Sequence, residues 1–422
     1  MPAPPRPRPL LPGAPMPTPA QPSVPGVRLR PFRAVRYNPA TAGDLAHVLC
    51  PPHDDVGPSR ARAPRHRRHH LARLVYSSDP GTAARQRLER WMHRGILVRD
   101  QRPAFYVYQQ HLGAKILFRG VIGELDLPTA TPAAVLPHED VQAHVVGQRA
   151  AHMQGLQAQL EPLLLTYRAP GAPGPAAMDD ITRRPPLAAA RIGLITHTVW
   201  ACTDPREQAA VSRHLAGAGA LIADGHHRYA ACLRLNDRHP GGPWARSLAL
   251  LVDQTAHPLQ LKAIHRVVPG LEPDKAIAAA AEAMRVRPLP EGARHPMPGE
   301  LLITAEGRAW SLTAPDPRSL DAALEGHPAE WRDVPTAVSD HLLMDLTWSV
   351  LDLPGGVHHV HDMRHAVAST ATPGSGIAVL LPAVREESVR TLAAAGVLLP
   401  RKTTSFGPKP TAGLALRVLD AP

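Results

Sequence analysis

The chain has 422 residues, of which 47 are basic and 36 acidic, and its formal net charge is +11. Residues 1–70 hold eleven Arg and three Asp, so +8 of this charge lies in the first sixth of the chain. The remaining body is close to neutral, and nucleic acid is not expected as a partner. No apolar run reaches the roughly 18 residues that a membrane span needs, so no membrane association is expected.

The three cysteines, Cys50, Cys202 and Cys232, are odd in number and far apart. This spacing argues against a disulfide framework and against a zinc ribbon. A reducing compartment is the natural environment for such a chain. Together with the absence of a long apolar segment, this usage predicts a cytoplasmic protein.

Proline and glycine divide the chain into four parts. Residues 1–26 are too rich in Pro for a helix or a central strand and are predicted to be a disordered tail. An N-terminal α+β part is expected over 27–169 and a Pro/Gly-rich linker over 170–186. A second α+β part, 187–422, follows the linker.

Hydrophobic patterns within the body alternate between strand and helix periods. Strands are expected at 27–37, 104–109, 115–127, 192–199, 220–223, 247–252, 262–268, 376–381 and 412–419. Helices are expected at 82–94, 147–160, 205–216, 226–235, 274–284 and 386–395. Several adjacent strands in a mixed order favour an α+β fold with a mixed sheet over a doubly wound sheet.

The segment from Asp224 to Tyr229 is the strongest candidate for chemistry. An apolar strand meets Asp224-Gly225, and helix formers resume at His226. Gly225 permits a tight turn, and Asp224 is expected to cap the helix. A helix start attracts anions, and His227 and Arg228 add further donors, the arginine in bidentate fashion. The pattern therefore predicts a phosphate site.

Two other interpretations of this segment are weaker. Asp-Gly followed by a helix is often only a capped helix with exposed polar residues. Metal binding is also conceivable, but adjacent histidines on a helix point about 100° apart and seldom chelate one ion. No metal site is predicted.

The sequence Gly225-His226-His227-Arg228-Tyr229 resembles the Gly-Cys-His-Arg-Tyr box of the ParB/sulfiredoxin superfamily, which includes ParB-like free serine kinases. This resemblance implies a nucleotide-binding core in which the turn and the helix start hold phosphates. His226 stands where sulfiredoxin has its catalytic cysteine, so sulfinic-acid reduction is not expected.

Over residues 27–420 the chain also resembles the bacterial family named domain of unknown function 1015. The matching pieces are 31–34, 51–56, 137–139, 224–229, 265–268 and 400–410. The resemblance implies that Arg33, His138 and Arg149 contact substrate. His53 replaces the tyrosine of the family and Asp55 follows Asp54, so either aspartate corresponds to the single one of the family.

Three further groups are candidates for the chemistry. Glu139 and Asp55 are carboxylates that could accept a hydroxyl proton during phosphoryl transfer, although Glu139 could also belong to a helix cap and Asp55 to a turn. Lys402 and Lys409 stand out in a chain that has only five lysines among its 47 basic residues, and a compact ammonium suits phosphate. A solvated loop is the alternative for both.

The prediction is a nucleotide-binding enzyme, a phosphotransferase that uses ADP or ATP, with Mg²⁺ as a further allowed cofactor, on a small hydroxylated metabolite such as free serine. Asp224, Gly225, His226, His227 and Arg228 would hold phosphates. Glu139, Asp55 or His226 would be catalytic. The alternatives are a nucleotide-gated ParB-like regulatory protein and a catalytically degenerate relative.

Overall fold

The computed structural model describes residues 26–52, 67–77, 81–128, 134–169, 176–290, 292–350, 353 and 355–419. The expected disordered tail, except Gly26, and Asp55 lie outside these residues. Within the described ranges, no helix is long and apolar enough to cross a bilayer. The three cysteines are all buried and free.

The helices are named in chain order. They are α1 (Pro39–Ala42), α2 (Ala72–Val75), α3 (Thr82–His93), α4 (Ala143–Leu156), α5 (Ala176–Thr182), α6 (Pro205–Leu215), α7 (His226–Arg238), α8 (Pro273–Ala283), α9 (Pro317–Ala323), α10 (Pro335–Ala337), α11 (Met363–Ser369) and α12 (Glu386–Ala394). A π-helical segment, Val338–Thr347, continues α10. Short 3-10 turns lie at Leu45–His47, Pro243–Ala245 and Ala329–Asp333.

The strands are also numbered along the chain. They are β1 (Leu29–Arg30), β2 (Val35–Tyr37), β3 (Leu97–Arg99), β4 (Phe105–Leu112), β5 (Lys115–Asp126), β6 (Val135–Leu136), β7 (Ala158–Gln159), β8 (Leu163–Tyr167), β9 (Ala188–Ile192), β10 (Ile195–Cys202), β11 (Ala220–Asp224), β12 (Arg246–Asp253), β13 (Gln260–Lys262), β14 (His265–Val268), β15 (Met284–Pro288), β16 (Leu301–Ala305), β17 (Arg308–Pro315), β18 (His358–Val360), β19 (Ile377–Leu380), β20 (Ser405–Gly407) and β21 (Arg417–Val418).

Two mixed or antiparallel sheets organise the described residues. The larger has nine strands in the order β6-β11-β8-β12-β5-β4-β10-β9, with β1 on β5. Its parallel pairs are β11 with β6 and β12 with β8. The second has six strands in the order β15-β17-β16-β19-β14-β18. The predicted α+β class with a mixed sheet is confirmed.

The large sheet is buried on both faces. Successive side chains of a strand point to opposite faces of the sheet, so one strand contributes to two apolar clusters. Tyr106 and Tyr108 of β4 belong to one apolar cluster, whereas Phe105 and Val107 belong to another. The first cluster also contains Ile303 of the second sheet, so the two sheets share a core. The second cluster packs beneath α4 and α7.

Strands on both sides of residues 170–186 enter the large sheet, since β8 lies between β11 and β12. The boundary expected at this linker therefore falls within one sheet. Helix α5 begins inside the expected linker. A Pro- and Gly-rich composition predicts a connection, but it does not say whether the flanking strands pair with each other.

Several element predictions are confirmed, namely α3, the β4–β5 hairpin, α6, β11, α7, β12, α8 and α12, each within a few residues. The single strands expected at 192–199 and 262–268 are wrong. The first range holds the end of β9 and most of β10, which form a hairpin around Gly193 (φ 60°). The second range divides between β13 and β14, which lie in different sheets.

Candidate functional site

The turn at Gly225 connects β11 to α7 in an unusual backbone conformation. Gly225 is the N-cap residue with φ 103°, a value that L side chains rarely adopt, and no side chain caps the helix. The first hydrogen bond of the helix runs from the Tyr229 N–H to the Gly225 carbonyl, 2.8 Å. The predicted strand-turn-helix is confirmed, whereas the prediction that Asp224 caps the helix is wrong.

The turn opens into a cavity of about 800 Å³. Predicted site residues that line it are Glu139, Arg149, Asp224, Gly225, His226, His227, Arg228, Lys402 and Lys409. They come from β11, α7, α4, the loop before α4 and the loop 400–410. Tertiary structure thus brings together nine predicted residues that span 271 positions of the sequence, Glu139 to Lys409.

Asp224 turns its carboxylate toward two cations instead of capping the helix. Its Oδ2 accepts a hydrogen bond from Arg228 Nη2 at 2.5 Å, and its Oδ1 accepts one from Lys409 Nζ at 2.7 Å. Arg228 Nη1 donates to the carbonyl of Pro162 at 2.5 Å. The guanidinium fork that was expected on a phosphate is therefore held by a carboxylate and a carbonyl, so Arg228 fixes the floor of the cavity.

Glu139 lies half-buried on the same cavity. Its Oε1 accepts the backbone N–H of Lys402 at 2.9 Å. Burial raises the pKa of the Glu139 carboxyl, and the nearby Asp224 charge adds to the rise, while the Lys402 N–H and the charges of Lys402 and Arg266 oppose it. A cleft carboxyl with a raised pKa is suited to accept a proton near neutral pH.

His138 and His226 form a buried pair. Their rings lie 4.5 Å apart at 89°, and the His138 backbone N–H donates to His226 Nε2 at 3.4 Å. Burial lowers the pKa of His226 to about 4 and that of His138 well below its usual value. The lowered pKa favours the neutral form of both imidazoles, and His226 Nε2 already accepts a hydrogen bond.

His138 has no exposed surface and stands behind the cavity wall rather than on it. Its Nε2 lies 2.8 Å from the hydroxyl of Thr404, which does line the cavity. The histidine therefore positions the neighbouring wall. Direct contact between His138 and a ligand would require the wall to move.

His227 presents a different arrangement on the first turn of α7. Its Nε2 accepts the Gln142 backbone N–H at 3.1 Å. Burial lowers the pKa of His227, and the charges of Lys402, Arg149 and Arg401 lower it further. Because Nε2 is an acceptor, the neutral ring carries its proton on Nδ1 and can donate from that atom.

The loop 400–410 is fastened to the second sheet by buried charge. Lys402 adopts φ 60°, and its carbonyl accepts a hydrogen bond from Arg266 Nη1 at 3.0 Å. Arg266 is fully buried and also donates to both oxygens of Asp340, at 2.8 Å each. This pair holds the Lys402 backbone in the conformation that directs its N–H to Glu139.

Sequence reasoning missed an aromatic group on the cavity. His327 stacks on Trp331 with ring centroids 4.6 Å apart, and His341 lies 4.5 Å from His327. His359 and His361 line the same cavity. The i,i+4 spacing of His327 and Trp331 was a possible local signal, but the convergence of five rings arises only from the fold.

Besides His138, one described residue of the predicted site, Arg33, does not line this cavity. Arg33 is exposed and lines a separate, smaller cavity, where its Nε donates to the carbonyl of Asp100 at 2.9 Å. Asp55 is outside the described residues. Among the residues that the structure describes, no group of three or more His, Cys, Asp or Glu side chains could hold a metal ion.

The fold and the site define an α+β protein with a charged cavity at the C-terminal end of a buried strand. The chain belongs to the family described as "Protein of unknown function (DUF1015)", whose profile matches residues 29–342. No curated protein matches the chain.

Similar solved structures include a free serine kinase in complex with AMP, which is 16% identical with a TM-score of 0.38 and is matched over 70% of this chain and 91% of its own. A conserved hypothetical protein from Pyrococcus furiosus is 17% identical with a TM-score of 0.38, over 71% and 95% of the two chains. A C-terminally truncated SbnI from Staphylococcus aureus is 11% identical with a TM-score of 0.36, over 68% and 84%.

Proposed function

We propose that the larger cavity binds ADP or ATP and that the protein transfers a phosphoryl group to the hydroxyl of a small metabolite, with free serine as the first acceptor to test. One observation carries the proposal: the start of α7 and the raised-pKa carboxyl of Glu139 line the same cavity. The first provides an anion site and the second a proton acceptor. The ParB/sulfiredoxin-like motif at 224–229 is consistent with this division.

Cationic side chains surround the proposed phosphate position. Arg149, Arg401 and Lys402 line the cavity, and their side chains form no hydrogen bond or ion pair with other described residues. His227 can add its Nδ1–H. These donors would bind the phosphate oxygens directly, whereas Arg228 and Asp224 would hold the turn in place.

In the proposed reaction, the oxygen of the acceptor hydroxyl attacks the terminal phosphorus of the nucleotide. Glu139 accepts the proton that this hydroxyl loses. The bond between that phosphorus and the bridging oxygen of the nucleotide breaks, and the leaving nucleotide keeps the electron pair. Lys402 and Lys409 would stabilise the negative charge that develops on the phosphate oxygens. Asp55 is the alternative base.

Mg²⁺ would neutralise charge on the nucleotide phosphates. This ion usually binds one or two protein carboxylates and retains phosphate and water ligands. Asp140 lines the cavity beside Glu139 and could provide such an oxygen. A metal that enters with the nucleotide needs no dedicated protein cage.

The test combines binding with turnover. Thermal unfolding would be measured with ADP and ATP, each with Mg²⁺, because a ligand at 100 times its Kd stabilises by about 2.7 kcal/mol. Phosphoserine formation would be followed by phosphorus NMR. We expect Glu139→Gln to lower kcat by about 10²–10⁴-fold with nucleotide binding retained. Glu282→Gln, at an exposed position on α8, which does not line the cavity, should change neither.

Asp55→Asn would be assayed beside Glu139→Gln. A large loss only in Asp55→Asn would transfer the base role to that residue. No stabilisation by any nucleotide, together with no phosphorylated product, would overturn the proposed function.

A second candidate is a nucleotide-gated regulatory protein. It is favoured by the contact between Arg228 and Asp224, because a phosphate that binds Arg228 must first displace a carboxylate. Such an exchange could switch the turn between two arrangements without catalysis. Nucleotide stabilisation without product from any acceptor, in the presence of an intact Glu139, would support this candidate.

A further inference from the structure

A second cavity, of about 340 Å³, lies apart from the first and shares no lining residue with it. Four of its lining residues are arginines, Arg33, Arg99, Arg246 and Arg417, and the acidic one is Glu124. Its lining therefore carries a net charge of +3. A concave surface with this charge attracts anions because low-dielectric walls concentrate the field.

Arg417 gives the cavity a built donor. Its side chain is 5% exposed, its Nε donates to Glu124 Oε1 at 2.6 Å, and its Nη2 donates to the carbonyl of Pro243 at 2.7 Å. Its Nη1 is buried and has no hydrogen-bond partner among the described residues. A buried donor without a partner costs free energy, and an acceptor that reached Nη1 from the cavity would recover it.

The single carboxylate does not oppose an anion. Glu124 Oε1 is paired with Arg417, and its Oε2 accepts from Arg246 Nη1 at 3.2 Å. Glu124 is therefore already neutralised. Its effect is to hold two guanidinium groups at the cavity.

Arg33 is restrained in a similar way. Its Nε donates to the carbonyl of Asp100 at 2.9 Å, which fixes one edge of the guanidinium. Its two terminal nitrogens have no hydrogen-bond partner within the described part of the chain. The edge that remains available is the one that pairs with two oxygens of a phosphate or carboxylate.

We propose that this second cavity binds a phosphate dianion, either inorganic phosphate or the phosphate of a small monoester. Arginine forks match the planar pairs of oxygens that a phosphate presents, and a guanidinium is more weakly hydrated than an ammonium. The cavity is large enough for a phosphate with a small organic group. The site is independent of the proposed nucleotide cavity.

Arg33→Gln is the variant for the test because Arg33 is exposed, whereas Arg417 is buried and its loss would also leave Glu124 with one partner fewer. Isothermal titration of the full-length protein would use inorganic phosphate and glycerol phosphate at an ionic strength held constant with sodium chloride. The nucleotide cavity would be silenced in every sample by the combined substitutions Arg149→Gln, Arg401→Gln and Lys402→Gln. Arg183→Gln, at an exposed arginine that pairs with Asp180, is the matched control.

We expect Arg33→Gln to weaken phosphate binding at least tenfold and the control to change it less than twofold. Tighter binding of glycerol phosphate than of phosphate would support a monoester ligand, and equal binding would support inorganic phosphate. Equal phosphate affinity in Arg33→Gln and its parent would overturn the proposal. If phosphate does not bind but a single-stranded oligonucleotide does, and if that binding depends on Arg33, the proposal is overturned in favour of a nucleic-acid surface.

Discussion

Lys409 donates a hydrogen bond of 2.7 Å from Nζ to Oδ1 of Asp224, although 185 positions separate the two residues in the sequence. The second oxygen of Asp224 accepts a hydrogen bond from Arg228. The end of β11 is therefore connected to a loop near the C-terminus through one carboxylate that forms ion pairs with two cationic side chains. The geometry of the proposed anion site depends on this link.

Lys409→Met removes one cation from Asp224 and leaves the Arg228 contact. Because the Lys409 side chain is only 12% exposed, we expect a loss of about 1–3 kcal/mol in the free energy of unfolding. Nucleotide affinity should fall at least tenfold. Urea unfolding and titration calorimetry would measure both. Lys262→Met, at an exposed lysine on β13, should change stability by less than about 0.5 kcal/mol; equal behaviour of the two variants would contradict this role of Lys409.

Gly225→Ala tests the turn. At φ 103° an alanine is strained, and its Cβ would lie 3.1 Å from the Arg228 guanidinium. We expect the free energy of unfolding, measured by thermal unfolding, to fall by about 1–3 kcal/mol. We also expect Arg228 to be displaced from Asp224. Gly241→Ala is the matched control, since that residue has φ 72° and nothing within 4 Å of the added Cβ. If both variants lose the same stability and nucleotide affinity, contact with Arg228 does not matter.

The buried Arg266–Asp340 pair should be sensitive to removal of one partner. Asp340→Asn leaves a buried guanidinium without its counter-charge, and we expect a loss of about 3–5 kcal/mol in the free energy of unfolding. The Lys402 backbone should also loosen, with lower affinity for nucleotide. Arg183→Met, in a pair whose side chains are 78% and 58% exposed, should cost less than about 1 kcal/mol. Similar losses of stability in Asp340→Asn and Arg183→Met would show that the buried Arg266–Asp340 pair stabilises the fold no more than an exposed pair does.

Stability should fall as the pH is lowered from about 6.5 to about 4. Burial lowers the pKa of His70, His197, His226 and His265 to about 4 in the folded protein. Between these pH values the unfolded chain binds protons that the folded one does not, so protonation favours unfolding. Each such histidine contributes a slope of roughly 1.4 kcal/mol per pH unit.

Urea unfolding at pH 4.5, 5.5, 6.5 and 7.5 would measure this slope. His197→Gln should reduce it by about one proton equivalent, because the imidazole beside the Tyr108 hydroxyl is removed. A free energy of unfolding that does not change over this range would show that the histidines titrate normally in the folded state. An unchanged slope in His197→Gln would show that His197 does not contribute to the pH dependence of stability.

Much of the secondary structure follows from local patterns. The strand-turn-helix at 220–238 is encoded by an apolar run, a glycine and a return to helix formers, and all three act within a few residues. The hairpin of β4 and β5 follows from two apolar runs around Gly113 (φ 57°). The pairing of β13 with β20 was not predictable from local patterns, because Leu261 and its partner Phe406 lie far apart in the sequence.

The sequence by itself determined the α+β class and the turn at Gly225, and it named nine of the residues that line the cavity. Only the tertiary structure decided what these residues do for one another. It placed Arg228 on Asp224 rather than toward a ligand, moved Arg33 to a separate cavity, and fastened Lys402 through Arg266. Backbone propensity acts between neighbours in sequence, whereas ion pairs and burial act between neighbours in space, and the latter leave no periodic trace in the chain.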